Sequence, residues 1–167
     1  TTVSMGTGTG LFISTVGGLP TGTVVYFRAY ATNASDTSYS AIQSFTPAGP
    51  PVVSIAAATD LTSTSVTLGG NVTSDGGAAV TERGVVWNTT NVWNIANPPA
   101  SEGTVVTMGT GSGEFFATVG GLPTGTVVYF KAYATNTQGT AYSTVQSFTP
   151  SGPPSVNATP ASGIGQN

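Results

Sequence analysis

Nine charged side chains carry whatever ionic chemistry this 167-residue chain can do: Asp36, Asp60, Asp75, Glu82, Glu102 and Glu114, with Arg28, Arg83 and Lys131. Two carboxylates facing each other could act as general acid and base, and several together could hold calcium through oxygen ligands. Their spacing supports neither. Asp75 stands in a Gly-rich turn, Glu82 opens a strand-like segment, and no Asp-x-Asp or Asp-x-Asn-x-Asp run occurs. The chain has no His and no Cys, which excludes imidazole and thiolate metal sites, Ser/His and Cys/His nucleophile pairs, and disulfides. Three basic residues cannot track a phosphate backbone, so nucleic acid is excluded as a partner. No catalytic residue, metal ligand or cofactor is expected.

Aromatic rings beside amides offer a second kind of chemistry. Trp87 and Trp93 bracket Asn88-Thr89-Thr90-Asn91-Val92. Trp87 ends a strand-like segment and reads as core-edge packing, whereas Trp93, with Asn91 and Asn94, could stack on a sugar or contact another subunit. Tyr129, Lys131 and Tyr133 alternate along one segment and therefore share a face. They form either a ligand platform or, the favoured reading, a cross-strand aromatic and cation–π ladder on an exposed sheet. Sequons at Asn33, Asn71, Asn88 and Asn157 arise readily by chance among 30 threonines.

The elements that position these residues are strands. With 38% hydrophobic residues and a mean hydropathy of +0.16, the chain has enough apolar surface to fold. No stretch approaches the roughly 18 consecutive apolar residues of a membrane span. Few charges and many Thr and Gly give a hydroxyl-coated surface, which leans toward an extracellular or cell-surface setting. Segments 52–58, 64–72, 82–88, 103–109, 114–122, 126–136 and 140–149 are rich in Val, Thr, Phe and Tyr with a period of two, and turn residues separate them. Alternation turns Phe115, Ala117, Val119, Leu122, Val128, Phe130, Ala132 and Ala134 inward. Seven short strands in about 100 residues predict an all-β, immunoglobulin-like sandwich.

An internal repeat organises the chain. Residues 1–51 and 104–154 align without a gap at an offset of 103, with 37 identities in 51 positions. The expected organisation is the C-terminal half of one module (1–48), a linker (49–51), a complete module (52–150), and a linker with the start of a further strand or a donor tail (151–167). Gly-Pro-Pro at 49–51 and 152–154 marks the boundaries, since consecutive prolines continue neither helix nor central strand.

TERGVVWNTTN (81–91), GSGEFFATVGGLP (111–123) and YFKAYATNTQGTAYSTVQSFTP (129–150) together resemble a fibronectin type III-like module of the tandem kind found in large bacterial surface and secreted proteins. YFRAYATN (26–33) and SYSAIQSFTP (38–47) repeat the match in the first copy. The resemblance implies a tandem sandwich, one complete module plus a partial one, and the role of a spacer, adhesive unit or fibre building block. Val128 stands where the family's corner tyrosine would fall, so no corner hydrogen bond is implied. Asp36 replaces Gly139 of the second copy, so the two turns should differ in backbone geometry. The expected function is a non-enzymatic structural repeat protein of a fibre, filament or adhesin stalk. Its expected partners are itself, head to tail and by strand complementation, or neighbouring repeats of the same chain. A carbohydrate-binding accessory module of a secreted enzyme, using Trp93, is the alternative.

Overall fold

Short alternating segments separated by Gly, Pro and Asn can bury one face only by pairing into sheets and stacking them. The structure, a computed structural model, describes residues 1–93 and 99–152. Twelve strands run through them: β1 Val25–Phe27, β2 Tyr30–Thr32, β3 Thr37–Tyr39, β4 Gln43–Phe45, β5 Val52–Ile55, β6 Val66–Ser74, β7 Glu82–Asn88, β8 Thr104–Thr107, β9 Gly113–Val119, β10 Val128–Asn136, β11 Gly139–Tyr142 and β12 Gln146–Phe148. The one helical element among the described residues is a 3-10 turn, Pro99–Ser101.

Strands β5 to β12 form two antiparallel sheets. One has the order β5-β6-β9; the other has the order β11-β10-β7-β8, with β12 also on β10. Val66, Leu68, Val72, Phe115 and Val119 of the first meet Val85, Val128, Phe130, Ala132 and Ala134 of the second in a common core. The inward assignments for the segments around β9 and β10 hold: Phe115, Val119, Leu122, Val128, Phe130, Ala132 and Ala134 lie in this core, with Ala117 half-buried. Between the sheets, a Cβ on Gly70 would lie 2.8 Å from the Cβ of Ala132 and 2.5 Å from the Ser54 carbonyl oxygen. Only glycine fits there.

Two segments differ from expectation. The strand expected at 64–72 runs from Val66 to Ser74, because the Thr62 hydroxyl accepts the Ser65 N–H at 2.9 Å and holds a turn just before it. The strand expected at 140–149 is broken into β11 and β12 at Ser143. Its hydroxyl accepts the Ala132 N–H at 2.9 Å and donates to the Thr144 carbonyl at 2.8 Å, replacing a ladder bond with a side-chain bond.

The first copy repeats half of this arrangement. β1 pairs β4 with Val25 opposite Phe45, as β10 pairs β12 with Val128 opposite Phe148. β2 pairs β3 with Tyr30 opposite Tyr39, as Tyr133 lies opposite Tyr142. Ser40 makes the same break as Ser143. Residues 1–16, aligned with β8 and β9, form no strand. The reason is pairing: β8 bonds to β7 and β9 to β6, and residues 1–16 pair with no strand among the described residues. The apolar face is left open, with Phe12 49% and Phe27 53% exposed, while the matching Phe115 and Phe130 are 5% and 0% exposed.

Candidate functional site

β10 and its neighbours bring Tyr129, Lys131 and Tyr133 onto the outer face of the larger sheet. Register sets Tyr129 opposite Asn88, Lys131 opposite Val86, and Tyr133 between Gly84 and Tyr142. The expected face is correct, but its expected exposure is not. Lys131 is 3% and Tyr133 0% exposed, because Trp93 and Glu102, both from the connection between β7 and β8, pack over Lys131, and Glu82, Thr107 and Tyr142 enclose Tyr133. Asn88 anchors that connection by donating from Nδ2 to the Glu102 carbonyl at 2.9 Å.

Under this cover Lys131 sits in a box of two rings and one carboxylate. Its Nζ lies 4.2 Å from the centre of the Trp93 ring and 5.2 Å from that of Tyr142. It is 3.7 Å from Glu102 Oε2. Both carboxylate oxygens of Glu102 are buried without a hydrogen bond. Burial holds the Lys131 ammonium below its ordinary range, and Glu102 partly restores it. Burial, and then the Glu102 charge, push the Tyr142 hydroxyl up to about 12. Tyr133 is pushed up further by burial and by its bond to Glu82.

The Glu82-Arg83-Gly84 triplet explains itself in place. Glu82 Oε1 accepts the Tyr133 hydroxyl at 2.5 Å. Arg83, on the opposite side of β7, donates from one guanidinium nitrogen to the carbonyls of Gly111, Ser112 and Gly113 at 3.1, 2.8 and 3.2 Å, closing the rim of the sandwich beside Phe115. A Cβ on Gly84 would come within 2.1 Å of the Val106 carbonyl oxygen. All three act between strands.

Of the six contact residues read from the sequence, Trp93 and Lys131 come together with Glu102, while Tyr133 lies beside Tyr142 and bonds to Glu82 instead. Trp93 is half-buried, with its Nε1 donating to exposed Asn91 at 2.9 Å. Tyr129 is half-buried beside this cluster on the same strand face. Asn94 lies outside the described residues. Among those residues no group of three His, Cys, Asp or Glu side chains is placed to hold a metal, and no helix is long and apolar enough to cross a membrane. Sequence reasoning missed Glu102. Its signal was weak: the lone acidic residue in the long connection, within reach of the lone cation on the outer face.

A second cluster was also missed. Buried Asn136 donates from Nδ2 to the carbonyls of Gly49 at 2.8 Å and Asp75 at 2.7 Å, while its Oδ1 accepts the Gln138 N–H at 2.8 Å. Gly49 N–H in turn donates to Gly76 at 2.8 Å. The Gly-Pro-Pro linker is therefore held against two turns of the sandwich. Asn33 makes the same turn bond to Ser35, and Asp36 keeps a negative φ where Gly139 has +143°, the difference in turn geometry that the substitution predicted. In place of a corner tyrosine, Val128 lies in the core and Thr124 ties the corner by donating to the Ser63 carbonyl at 2.6 Å.

Three strands against five, with β9 on β6 and β8 on β7, make residues 52–148 a fibronectin type III-like sandwich of the immunoglobulin-like class. No protein-family model matches the chain, and no curated protein matches it by sequence. Among solved structures the chain is similar to the sensor domain of the anti-sigma factor RsgI4 in Pseudobacteroides cellulosolvens, with 22% identity over 62% of this chain and 97% of that one and a TM-score of 0.43. It is also similar to a fibronectin type III domain derived from the human KIAA0970 protein, with 17% identity over 66% and 85% of the two chains and a TM-score of 0.43. The 6th such domain of human fibronectin type III domain containing protein 3 gives 21% identity over 70% and 91%, with a TM-score of 0.41. The fold itself is defined by this chain's own strand order.

Proposed function

We propose that the chain is a non-enzymatic, extracellular structural repeat protein, in which sandwich modules bounded at 49–51 and 151–154 stack end to end as a fibre or adhesin stalk. One observation carries the reading: both backbone polar groups of Gly49 are bonded to the module that follows, its N–H to Gly76 and its carbonyl to Asn136. A joint so anchored leaves little slack, which suits a load-bearing or spacing role. The outer-face groups that could serve a ligand are engaged with one another: Tyr133 with Glu82, Lys131 with Glu102 and Trp93, and Trp93 with Asn91. A surface poor in charge and rich in Thr supports an extracellular setting.

Negative-stain microscopy of native material tests the fibre, which should appear as filaments or extended rods. Titration with polysaccharides tests the rival reading. Saturable binding abolished by Trp93→Ala would replace the structural role with glycan recognition.

A further inference from the structure

The two outer faces of the complete module are built differently. On the larger sheet the charged groups engage neighbouring side chains, Glu82 with Tyr133 and Lys131 with Glu102. On the smaller sheet, alternation along β6 and β9 turns Leu68, Val72, Phe115 and Val119 into the core and leaves Thr67, Asn71, Glu114, Phe116 and Thr118 outside. Among the described residues, the side chains of Thr67, Asn71, Glu114 and Thr118 have no hydrogen-bond or ion-pair partner. Phe116 is 55% exposed. Register orders these groups around the ring. Phe116 stands opposite Gly69, with Asn71 opposite Glu114 on one side and Thr67 opposite Thr118 on the other. Each flanking pair is two residues, about 7 Å, along the strand from the ring's own position. The Phe116 ring leans across onto β6, where a Cβ on Gly69 would lie 2.4 Å from its Cδ1 and 3.0 Å from its Cε1. Glycine at 69 lets the ring lie along the sheet and turn one face to solvent.

We infer that this face binds a neutral glycan, with one pyranose stacked on Phe116 and its hydroxyls bonded by the flanking pairs. The C–H side of a sugar ring is apolar and matches the face of an aromatic ring. Its hydroxyls both donate and accept, and an amide, a carboxylate and two hydroxyls supply the mixed set they need. Charge narrows the class. Glu114 is the one charged residue of β5, β6 and β9, so acidic or sulfated sugars would be repelled. A protein partner would call for a wider apolar centre than one ring among polar neighbours. The first copy has Leu11 and Ile13 where the second has Glu114 and Phe116, so the ring and the carboxylate belong to the complete module alone. Such a site adds adhesion to the spacing role and lies on the sheet opposite Trp93.

Calorimetric titration of the full chain with cellohexaose, xylohexaose, maltohexaose and laminarihexaose tests the site. At least one should bind saturably, and Phe116→Ala should weaken that binding at least about tenfold. Asn71→Ala should weaken it about threefold. Phe116→Trp, which keeps a ring, should retain binding, so that a loss in the Ala variant is separated from a loss of fold. No saturable binding by any of the four sugars, binding that survives Phe116→Ala, or binding lost instead in Trp93→Ala overturns the proposal. So does added sugar mass on Asn71 of native material, because Asn71-Val72-Thr73 is a sequon and the chain's own glycan would then cover the ring. A dimer abolished by Phe116→Ala overturns it too, with a second copy as the occupant. Whether filaments form decides the stalk role alone.

Discussion

Lys131 keeps a positive charge almost fully enclosed, 3.7 Å from a carboxylate that has no hydrogen bond. Taking both ions out of water costs several kcal/mol, and a separation longer than a hydrogen bond recovers little of it. Removing one partner leaves the other stranded, so Glu102→Ala should lose about 3–5 kcal/mol in urea denaturation, whereas the double change Lys131→Met with Glu102→Leu should be neutral or stabilising. If the single and double variants lose equally, the cluster acts through its packing alone. The tyrosines set the alkaline limit. Their folded-state pKa values lie above 10.0, with Tyr142 at about 12. The unfolded chain therefore gives up these protons first, and stability should fall as pH rises from about 10 to 12. Lys131, lowered by burial, acts in the opposite sense, adding stability as pH climbs toward 10.5. Tyr142→Phe should flatten the fall above pH 10, followed as melting temperature against pH; an unchanged slope would exclude Tyr142 as its source.

At the scale of the element, strands here exist where a ladder partner exists. β9 and residues 10–16 share most of their sequence, yet only the copy facing β6 is a strand. Intrinsic β propensity spans only about 1 kcal/mol and does not hold an isolated strand. Backbone approach sets a second condition. Gly84 faces the Val106 carbonyl oxygen so closely that Gly84→Ala should push β7 and β8 apart and cost about 1–3 kcal/mol. Gly120 has no heavy atom within 4 Å of an added Cβ and no positive φ, so Gly120→Ala should leave the melting temperature within a degree or so of the parent. Equal melting temperatures for the two variants would show that the strands yield freely at Gly84.

For the molecule as a whole, the repeat makes an internal control available. Phe27 and Phe130 each end the same thirteen-residue run in sequence, yet lie in opposite surroundings in space. Phe130→Ala should cost about 3–5 kcal/mol and Phe27→Ala less than about 0.5 kcal/mol in the main unfolding transition. A large loss at Phe27 would mean that its face is covered in solution. The joint can be tested separately. Asn136→Ala removes the amide that ties the turn between β10 and β11 to Gly49 and Asp75. Small-angle scattering should then report a broader spread of shapes than for the parent chain, whose bonded linker should give one extended form.

Local patterns were legible in the sequence because strand facing and turn chemistry are local. A period of two assigned Phe115, Val119, Val128 and Phe130 to the core, and an offset of 103 exposed the repeat without reference to any fold. The break at Ser143 was not legible, since it depends on the Ala132 amide eleven residues away. The Lys131 cluster was half legible. Alternation placed Tyr129, Lys131 and Tyr133 on one face, but whether that face met water depended on Trp93 and Glu102, which pack against Lys131 from outside the sheet. Alternation determines which side of a strand a residue occupies. What covers that side is decided only when distant segments pack, and for that reason one copy of TVGGLPTGTVVYF lies in a core while the other stands open.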